Sequence, residues 1–504
     1  MCDVPWMDWY QSLAKPSWTP ATRTISLIWQ ILHSVISAAC GVVFVQAGRG
    51  RVPLLVAWCG VVAVGRAGAT DPFRIEIIDR ENGWPVPLVE LRTVHGVTFV
   101  SDNAGLIACD LPESMGEETW CGIRGFGYGV PRDGFGFEGV RFTPQPGGRL
   151  RVQVDRRIVA KRLGRITGAG VFGESRKLGE DKDWCESGIV GCDSVQNAVF
   201  DGRLFWLWGD TSLAKYPLGV FDGTAAHTPL RPLDCLEPPV RMPFNFYRDA
   251  AGAPKPIAKM PGTGPTWVTG LARVPDATGV PRLVGTFMKI KPPLEAYRVG
   301  LCVWEPEQKA FSERTVLWEQ SGQRPREQPL LEGHAVEWTD TSGKSWLLFG
   351  NPFPAIRCPA TFEAWADPAT WEPLEAPRRL HDASGQPVVP HSGSIAWNPW
   401  RHRWVAVFME KFGKPSAFGE IWYAEAESAL GPWGPAVKIV SHDNYTFYNP
   451  RLHPEFTEPD SPTLIFEATF TQQFADKPAP VARYDYNQVL YRLELDDPAL
   501  AAAH

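Results

Sequence analysis

The stretch GCDSVQNAVFDGRLFWLWGDT, residues 191–211, carries the strongest local signal in the sequence. Two apolar, aromatic-rich runs flank Asp201-Gly202. Asp-Gly between such runs predicts a β-hairpin, because a type I′ turn needs positive φ at both central residues. A two-residue turn would place Phe200 opposite Arg203.

The same register brings two carboxylates together at the open end of this hairpin. Counting back pair by pair from the turn places Asp193 opposite Asp210. Like charges that face each other destabilise a sheet and perturb pKa values, which favours a functional site. The alternative interpretation is two solvated carboxylates in loops.

The plan of this hairpin recurs four times, as strand, turn and a second strand that ends in an aromatic residue followed by a polar one. The repeats are PTWVTGLARVPDATGVPRLVGTFMK, GHAVEWTDTSGKSWLLFGN, HSGSIAWNPWRHRWVAVFME and YNPRLHPEFTEPDSPTLIFE. The closing polar residues, 57 to 79 positions apart, are Asp210, Lys289, Asn351, Glu410 and Glu467. One antiparallel sheet per repeat fits this spacing, so we predict a five-bladed β-propeller over residues 160–500. Two stacked sandwiches would fit the strand content but not the recurring polar position.

The composition supports a mainly β chain. Among 504 residues, 12% are aromatic, and 47 Gly and 47 Pro supply tight turns. The net charge of −6 and the lack of a basic tract exclude nucleic acid as the expected partner.

The first 69 residues predict a membrane or export segment with helical character. Residues 25–47 carry no formal charge apart from His33 and are long enough to cross a bilayer. Residues 49–69 also fit a secretory signal peptide that ends in a small-x-small site, Ala67-Gly68-Ala69. Both interpretations predict export, with the β domains periplasmic or extracellular and either membrane-anchored or secreted.

The beginning of the chain resembles a known membrane-protein family. WYQSLAKPSWTP (residues 9–20), followed by LIWQIL and FVQAGRGRVP, resembles the start of the tryptophan-rich sensory protein (TspO/MBR) family as far as about residue 53. That family forms a bundle of five transmembrane helices that binds porphyrins or sterols, and this chain would supply only its beginning. A truncated family member is one interpretation. The other is that the first fifty residues are a fusion scar or a misassigned start joined to a secreted protein.

Residues 70–155 predict a small β-sandwich. Apolar and polar residues alternate, with turn signals at Asn82-Gly83. The segment resembles the transthyretin-like or carboxypeptidase-regulatory-like sandwiches that precede many exported bacterial enzymes. Cys109 and Cys121 would form either a disulfide or two buried free thiols. The cysteines lack zinc-site spacing, so we predict no metal and no cofactor.

Aligning the repeats produces a set of polar and aromatic residues at inner-strand starts and second-strand ends, which converge on one channel mouth in a propeller. We predict catalytic roles for Asp193, Asp210, Glu410 and Glu467. We predict substrate contacts from Trp267, Lys289, His334, Asn351, His391, Glu420, Tyr448 and Asn449. Glycoside hydrolysis needs one protonated and one ionised carboxyl and uses aromatic faces to hold sugars. Lys289 would hold an anionic sugar or lower the pKa of a nearby carboxyl.

The hairpin also resembles a known group of enzymes. DGRLFWLWGDT, with YNPRLHP and LIFEATFT near the end of the chain, resembles the five-bladed glycosidase-like propellers of the arabinofuranosidase and arabinanase type, over residues 168–495. The resemblance implies acid and base carboxylates at the channel mouth and transfers only to Asp193 and Asp210. The expected function is an exported glycoside hydrolase acting on a polysaccharide or oligosaccharide. The alternatives are a non-catalytic carbohydrate-binding propeller and a truncated membrane protein of the TspO/MBR family.

Overall fold

The computed structural model describes residues 71–168, 173–182, 187–214, 216–320, 330–443, 445–475 and 484–504. These residues belong to one compact unit, Thr70–His504. The predicted membrane or export segment, residues 1–69, lies outside the described residues. Within the described ranges, no helix combines the length and apolar character needed to span a bilayer.

Two four-stranded sheets come first along the chain. Their strands are β1 (Phe73–Asp79), β2 (Glu90–Thr93), β3 (Thr98–Val100), β4 (Leu106–Cys109), β5 (Thr119–Arg124), β6 (Tyr128–Gly129), β7 (Gly139–Phe142) and β8 (Arg149–Arg156), with a 3₁₀ turn at Pro112–Ser114. The sheet orders are β4-β1-β8-β6 and β3-β2-β5-β7. Inward-facing residues of both sheets, such as Ile77 and Leu91, form one hydrophobic cluster. Strict alternation of buried and half-buried residues along β1 produces this inner face.

The predicted hairpin lies in the next part of the chain. The elements here are β9 (Lys161–Arg165), α1 (Glu174–Lys177), β10 (Ile189–Cys192), β11 (Gln196–Phe200), β12 (Arg203–Trp208), β13 (Thr211–Leu213), β14 (Tyr216–Val220), β15 (Thr224–Thr228) and β16 (Asn245–Phe246). Phe200 pairs with Arg203, and Asp201 and Gly202 have φ of 50° and 67°. Both angles match a type I′ turn, so the predicted turn and its register are confirmed.

The predicted hairpin belongs to the four-stranded sheet β11-β12-β15-β16, which is numbered as the first sheet after the sandwich. Three further four-stranded antiparallel sheets, the second to the fourth, follow it along the chain. The second sheet contains β17 (Thr266–Pro275), β18 (Pro281–Lys291), β19 (Glu295–Glu305) and β20 (Ala310–Glu319). The third contains β21 (Val336–Thr339), β22 (Ser345–Gly350), β23 (Pro354–Pro359) and β24 (Glu372–Pro373), with α2 (Phe362–Ala366) and a 3₁₀ turn at Pro368–Thr370 before β24. After the short pair β25 (Leu380–His381) and β26 (Pro387–Val388), the fourth contains β27 (Pro390–Asn398), β28 (Arg403–Glu410), β29 (Ile421–Ala426) and β30 (Val437–Val440). In each sheet the first two strands form the predicted repeat hairpin.

The fifth sheet takes its outer strand from far earlier in the chain. It contains β31 (Thr446–Leu452), β32 (Thr463–Thr471), β33 (Asn487–Glu494) and, at its edge, β9. 3₁₀ turns occupy Pro454–Phe456 and Pro498–Ala503. Val489 pairs with Arg165 and Arg492 with Lys161. The chain is therefore mainly β, and its last sheet is completed by a strand that precedes the first sheet.

Hydrogen bonds join consecutive sheets. Between sheets one and two, Gln196 Oε1 accepts from Leu271 N (3.4 Å), and between sheets two and three Thr269 Oγ1 accepts from Gly333 N (2.9 Å). Between sheets three and four, Asn351 Oδ1 accepts from Gly393 N (2.9 Å). Sheet four contacts sheet five where Leu452 N donates to Ser394 Oγ (2.8 Å).

The same kind of contact returns from the fifth sheet to the first. Asn449 Nδ2 donates to Ser194 Oγ (2.7 Å), and Gln488 Nε2 donates to the carbonyl oxygen of Cys192 (3.0 Å). These bonds connect the last sheet of the chain to the segment that leads into β11.

The cysteines in the described part of the chain are free thiols. Cys109, Cys121 and Cys192 are all buried. Burial raises the pKa of the Cys121 thiol to about 11. Of the two alternatives for Cys109 and Cys121, the structure has the buried free thiols.

Arg162 on β9 connects the sandwich to the fifth sheet. Its guanidinium is buried and donates to the carbonyl oxygens of Pro87 (3.0 Å), Phe126 (2.9 Å) and Gly125 (2.6 Å). All three acceptors belong to the sandwich. Arg162 therefore contributes three hydrogen bonds to the contact between the sandwich and the fifth sheet.

We expect Arg162→Met to destabilise the protein by about 2–4 kcal/mol, because three buried carbonyl groups lose a charged donor. Urea unfolding measures this change. Arg149→Met is the matched control, since Arg149 is exposed and should tolerate the change within about 0.5 kcal/mol. Equal effects of the two substitutions would contradict the assigned role of Arg162.

Candidate functional site

Asp193 and Asp210 lie next to each other at the open end of the first hairpin. Asp193 N donates to the carbonyl oxygen of Asp210 (3.3 Å), and Gly209 N donates to that of Asp193 (3.0 Å). One residue further from the turn, Cys192 pairs with Thr211, in the register that the turn predicts. Both aspartates are partly exposed.

Each residue of the Gly-Asp-Thr sequence after β12 has a separate role. A side chain at position 209 would meet Asp193 Oδ1 at 2.5 Å, so Gly209 leaves room for that carboxylate. Asp210 contributes the second carboxylate. Thr211 is fully buried, and its Oγ1 lies 2.8 Å from Thr224 Oγ1. Asp210 is thus held between Gly209, which lets the Asp193 carboxylate come close, and the buried Thr211.

Two tyrosines hold the Asp193 carboxylate, Tyr448 on β31 and Tyr486 directly before β33. Tyr448 donates its hydroxyl to Asp193 Oδ2 (2.7 Å), and the Tyr486 side chain makes a second hydrogen bond. Burial raises the pKa of Asp193 to about 6, although both hydroxyl donors act in the opposite direction. These donors favour the ionised form of Asp193.

Among the described residues, the Asp210 carboxyl has no pair of hydroxyl donors like the two that stabilise the Asp193 carboxylate. Burial and the neighbouring Asp193 charge raise the pKa of Asp210 to about 7, and a hydrogen bond from Trp267 only partly offsets them. Asp222 contributes a further repulsion. Asp210 Oδ1 is buried without a hydrogen-bond partner. The pair therefore titrates as a unit near neutral pH, with the proton favoured on Asp210.

Tyr448 and Asn449 were predicted to contact substrate, and the structure assigns them contacts within the protein. Tyr448 is buried and bonded to Asp193. Asn449 has φ of 54°, donates through Nδ2 to Ser194 Oγ (2.7 Å) and through its backbone N to Ser392 Oγ (3.3 Å). Both residues position the segment that carries Asp193.

Three of the other predicted substrate-contact residues reach solvent. Trp267 is partly exposed and hydrogen-bonds to Asp210. His391 keeps an exposed surface, and its ring lies 5.2 Å from that of Phe418. Partial desolvation of the ring and the charge of Lys411 lower the pKa of His391. Asn351 is exposed, and its amide oxygen is used by Gly393 N. Their contacts with substrate remain predictions.

Glu410 ends β28 at a partly exposed position. One of its oxygens, Oε2, accepts a hydrogen bond from Trp422 Nε1 (2.9 Å). Among the glutamates predicted as catalytic, Glu410 retains access to solvent. Its catalytic role remains a prediction.

Lys289 and Glu420 need correction, because both are buried and already paired. Lys289 Nζ donates to the carbonyl oxygen of Gly264 (2.5 Å) and to Thr266 Oγ1 (3.1 Å), and burial lowers its pKa. Glu420 is paired with Lys438 at 3.1 Å. β18 continues to Lys291, so Lys289 is not at the strand end as predicted.

Glu467 and His334 also lie in the interior, and Glu467 is not at the mouth as predicted. β32 continues four residues beyond Glu467 to Thr471, so its side chain falls in mid-strand and is fully buried. Glu467 Oε1 lies 2.9 Å from His453 Nε2, and burial raises the pKa of Glu467 well above its usual range. Burial, then the charge of Arg451, lowers the pKa of His334.

The sequence did not identify Tyr486 or Asp222 as site residues. Tyr486 has φ of 58° and directly precedes β33. Asp222 lies two residues after the end of β14. Neither occupies a repeat position, so the alignment of hairpins had no signal for them. In the described part of the chain, no three His, Cys, Asp or Glu side chains are grouped as a metal site would need.

Comparison with known proteins gives a family match for the beginning of the chain. Residues 3–64 match the model of the TspO/MBR family. The uncharacterized membrane protein YtaB of Bacillus subtilis is 46% identical over 37 residues, which cover 7% of this chain and 24% of that protein. The tryptophan-rich protein TspO of Bacillus cereus is 40% identical over 40 residues, covering 8% and 26%. The chain thus spans about a quarter of the length of these curated relatives.

Solved structures resemble part of the chain as well. An exo-1,5-alpha-L-arabinanase from a bovine ruminal metagenomic library matches with 11% identity and a TM-score of 0.35, covering 61% of this chain and 94% of that one. An exo-beta-1,3-galactanase from Phanerochaete chrysosporium matches with 9% identity and a TM-score of 0.34, covering 60% of each chain. The GH43_1 enzyme from Xanthomonas citri has 10% identity and a TM-score of 0.35, covering 61% and 87%. Both resemblances drawn from the sequence are thus found again, and at these scores the function has to be inferred from the site itself.

We expect Asp210→Asn to stabilise the protein at pH 8 by about 1–2 kcal/mol. Folding raises the pKa of Asp210 from 3.8 to about 7, so its ionisation costs stability as pH rises through that window. The gain should vanish near pH 4, where the folded protein keeps the proton. Urea unfolding at the two pH values measures it.

Asp276→Asn is the control of opposite sign. Hydrogen bonds led by Thr278 lower the pKa of Asp276 to about 2, so its ionised form is the stabilising one at neutral pH. This substitution should destabilise at pH 8. A stabilising effect of both substitutions, or no pH dependence for Asp210→Asn, would contradict the assigned environment.

Proposed function

We propose that the protein is a glycoside hydrolase that acts on a polysaccharide or oligosaccharide. The observation that carries this proposal is the contact between Asp193 and Asp210, a partly exposed carboxyl pair whose pKa values are raised into the neutral range. Glycoside hydrolysis needs a carboxylic acid that is still protonated near neutral pH.

In this proposal Asp210 is the general acid. It keeps its proton because its carboxyl is partly desolvated beside the charge of Asp193, and Trp267 is positioned to hold that carboxyl in place. Asp210 would donate that proton to the glycosidic oxygen as the bond to the leaving sugar breaks. Asp193, stabilised as a carboxylate by Tyr448 and Tyr486, keeps the pKa of its neighbour raised.

Glu410 would supply the complementary carboxylate, which attacks the anomeric carbon or activates water. Its partial exposure and its fixed orientation through Trp422 support this role. Glu467, the other glutamate considered from the sequence, is fully buried beside His453 and is left out of the mechanism.

We also propose that the five four-stranded sheets form a five-bladed propeller, preceded by the sandwich as a separate domain. The hydrogen bonding from sheet to sheet and the outer strand β9 in the last sheet support this arrangement. In such a ring, the starts of the inner strands surround one channel mouth. Asp193, Trp267 and His391 would then face the same opening.

Turnover tests the proposal directly. We expect Asp193→Asn and Asp210→Asn each to reduce kcat by about a hundredfold or more, because acid/base assistance is lost. Reducing-sugar release from arabinan, β-1,3-galactan and xylotriose provides the assay. Asp496→Asn, at an exposed position, should leave turnover unchanged.

The same experiment separates catalysis from binding alone. A non-catalytic carbohydrate-binding propeller would bind members of this panel without releasing sugar, and the two Asn substitutions would change affinity only. That outcome would overturn the hydrolase assignment and leave the binding function.

We propose export for the β domains, on the basis of the uncharged residues 25–47 and the sequence Ala67-Gly68-Ala69. Fractionation of the native cells should place the protein in the membrane, periplasmic or extracellular fraction. An intact pool in the cytoplasm would contradict export.

A further inference from the structure

Two phenylalanines project into solvent from the fourth and fifth sheets. Phe412 follows β28 and is 68% exposed, and Phe474 follows β32 and is 60% exposed. Phe418, from the same loop as Phe412, is half-buried between them. Exposed aromatic rings that are grouped together are typical of binding surfaces.

Ring contacts connect this group to the Asp193 carboxylate. Tyr448, which donates to Asp193, has its ring 6.1 Å from that of Phe474 in an edge arrangement. The ring of Phe474 lies 6.0 Å from that of Phe418, which in turn lies 5.7 Å from that of Phe412. The aromatic surface is therefore continuous with the candidate site.

The backbone at both exposed rings adopts an uncommon conformation. Phe412 has φ of 58° and Phe474 has φ of 63°, in the left-handed region that bulky residues rarely occupy. Such conformations are held against a conformational cost and are concentrated at ligand-binding sites. Two independent loops thus present an exposed aromatic ring at a cost to their own backbone.

The polar residues around the rings match a carbohydrate better than a purely apolar partner. Lys411 Nζ lies 5.5 Å from the centre of the Phe412 ring, and Glu410 directly precedes Lys411. The His391 ring lies 5.2 Å from the Phe418 ring. Sugars present C–H faces to aromatic rings and hydroxyls to polar neighbours, and this surface offers both kinds of contact.

We propose that Phe412, Phe418 and Phe474 form a sugar-binding subsite that holds a second unit of the saccharide chain whose glycosidic bond lies at Asp193 and Asp210. The inference rests on the proposed function and specifies its substrate class. The enzyme would prefer chains of several sugars to glycosides of a single sugar, because only a chain reaches both the carboxyl pair and the aromatic surface.

Chain-length selectivity tests this subsite. The probes are β-1,3-galactotriose, xylotriose and arabinan, each compared with the p-nitrophenyl glycoside of its sugar. In Phe412→Ala and Phe474→Ala, kcat/KM for the chain should fall about tenfold more than kcat/KM for the single-sugar glycoside, which corresponds to one lost stacking contact. Phe135→Ala is the matched control, since Phe135 is 90% exposed in the sandwich.

A second variant guards against misfolding of the loop. Phe412→Gly removes the ring but tolerates positive φ, so it should lose the same selectivity while unfolding at a temperature close to that of the wild type. Affinity for the trisaccharides, measured by calorimetry in the Asp210→Asn background, should fall in parallel with selectivity.

The outcomes distinguish the two proposals. Chain cleavage by the wild type with selectivity unchanged in Phe412→Ala, Phe474→Ala and Phe412→Gly would overturn the subsite and leave the hydrolase intact. Absence of both cleavage and binding of every probe would overturn both. A change of oligomeric state in Phe412→Ala, with selectivity unchanged, would assign the surface to contact with a second copy and would also overturn the subsite.

Discussion

The pairing of β33 with β9 is the constraint on which the rest of the β unit depends. It joins residues near the end of the chain to a strand that precedes the first sheet, through pairs such as Val489 with Arg165. Next to this pairing, Gln488 donates to the carbonyl oxygen of Cys192, the residue before Asp193. Because Tyr448 lies on β31 and Tyr486 directly precedes β33, Asp193 obtains its hydrogen-bond donors only when the last sheet meets the first.

The carboxyl pair is maintained against an electrostatic cost. Asp193 and Asp210 repel each other in a partly desolvated position, and only Asp193 is compensated by two hydroxyl donors. The surroundings supply the required rigidity, since Trp206 and Trp208 on β12 are buried and their rings stack at 5.9 Å. A well-packed strand therefore supports an unfavourable charge arrangement directly at its end.

Local chemistry made the hairpin predictable from sequence. Asp201-Gly202 fixes the turn, the turn fixes the register, and the register places Asp193 beside Asp210. The lengths of the strands were harder to predict from the sequence, because pairing with the partner strand determines where a strand ends. Thr446 pairs with Thr471, which extends β32 past Glu467 and turns a predicted mouth residue into an interior one.

Contacts between distant parts of the chain were not predictable from the repeats. Tyr486 reaches Asp193 through closure of the last sheet onto the first, and no local pattern marks it. Phe412 and Phe474 lie in loops between strands, where the hairpin alignment has no equivalent positions. The repeat pattern therefore identified the framework and one carboxyl pair, and long-range packing determined which other side chains surround it.

Completion of the fifth sheet by β9 has a consequence for synthesis of the protein. β9 is translated roughly 320 residues before its partner β33, as the pairing of Arg165 with Val489 requires. At about 5–20 residues per second, the ribosome needs roughly 15–65 seconds to cover this distance. During that interval one edge of β9 has no β partner from its own sheet, and exposed strand edges favour association with other chains. The carbonyl groups of the sandwich that accept from Arg162 belong to residues translated before β9, so β9 has hydrogen-bond partners in the sandwich before β33 is made.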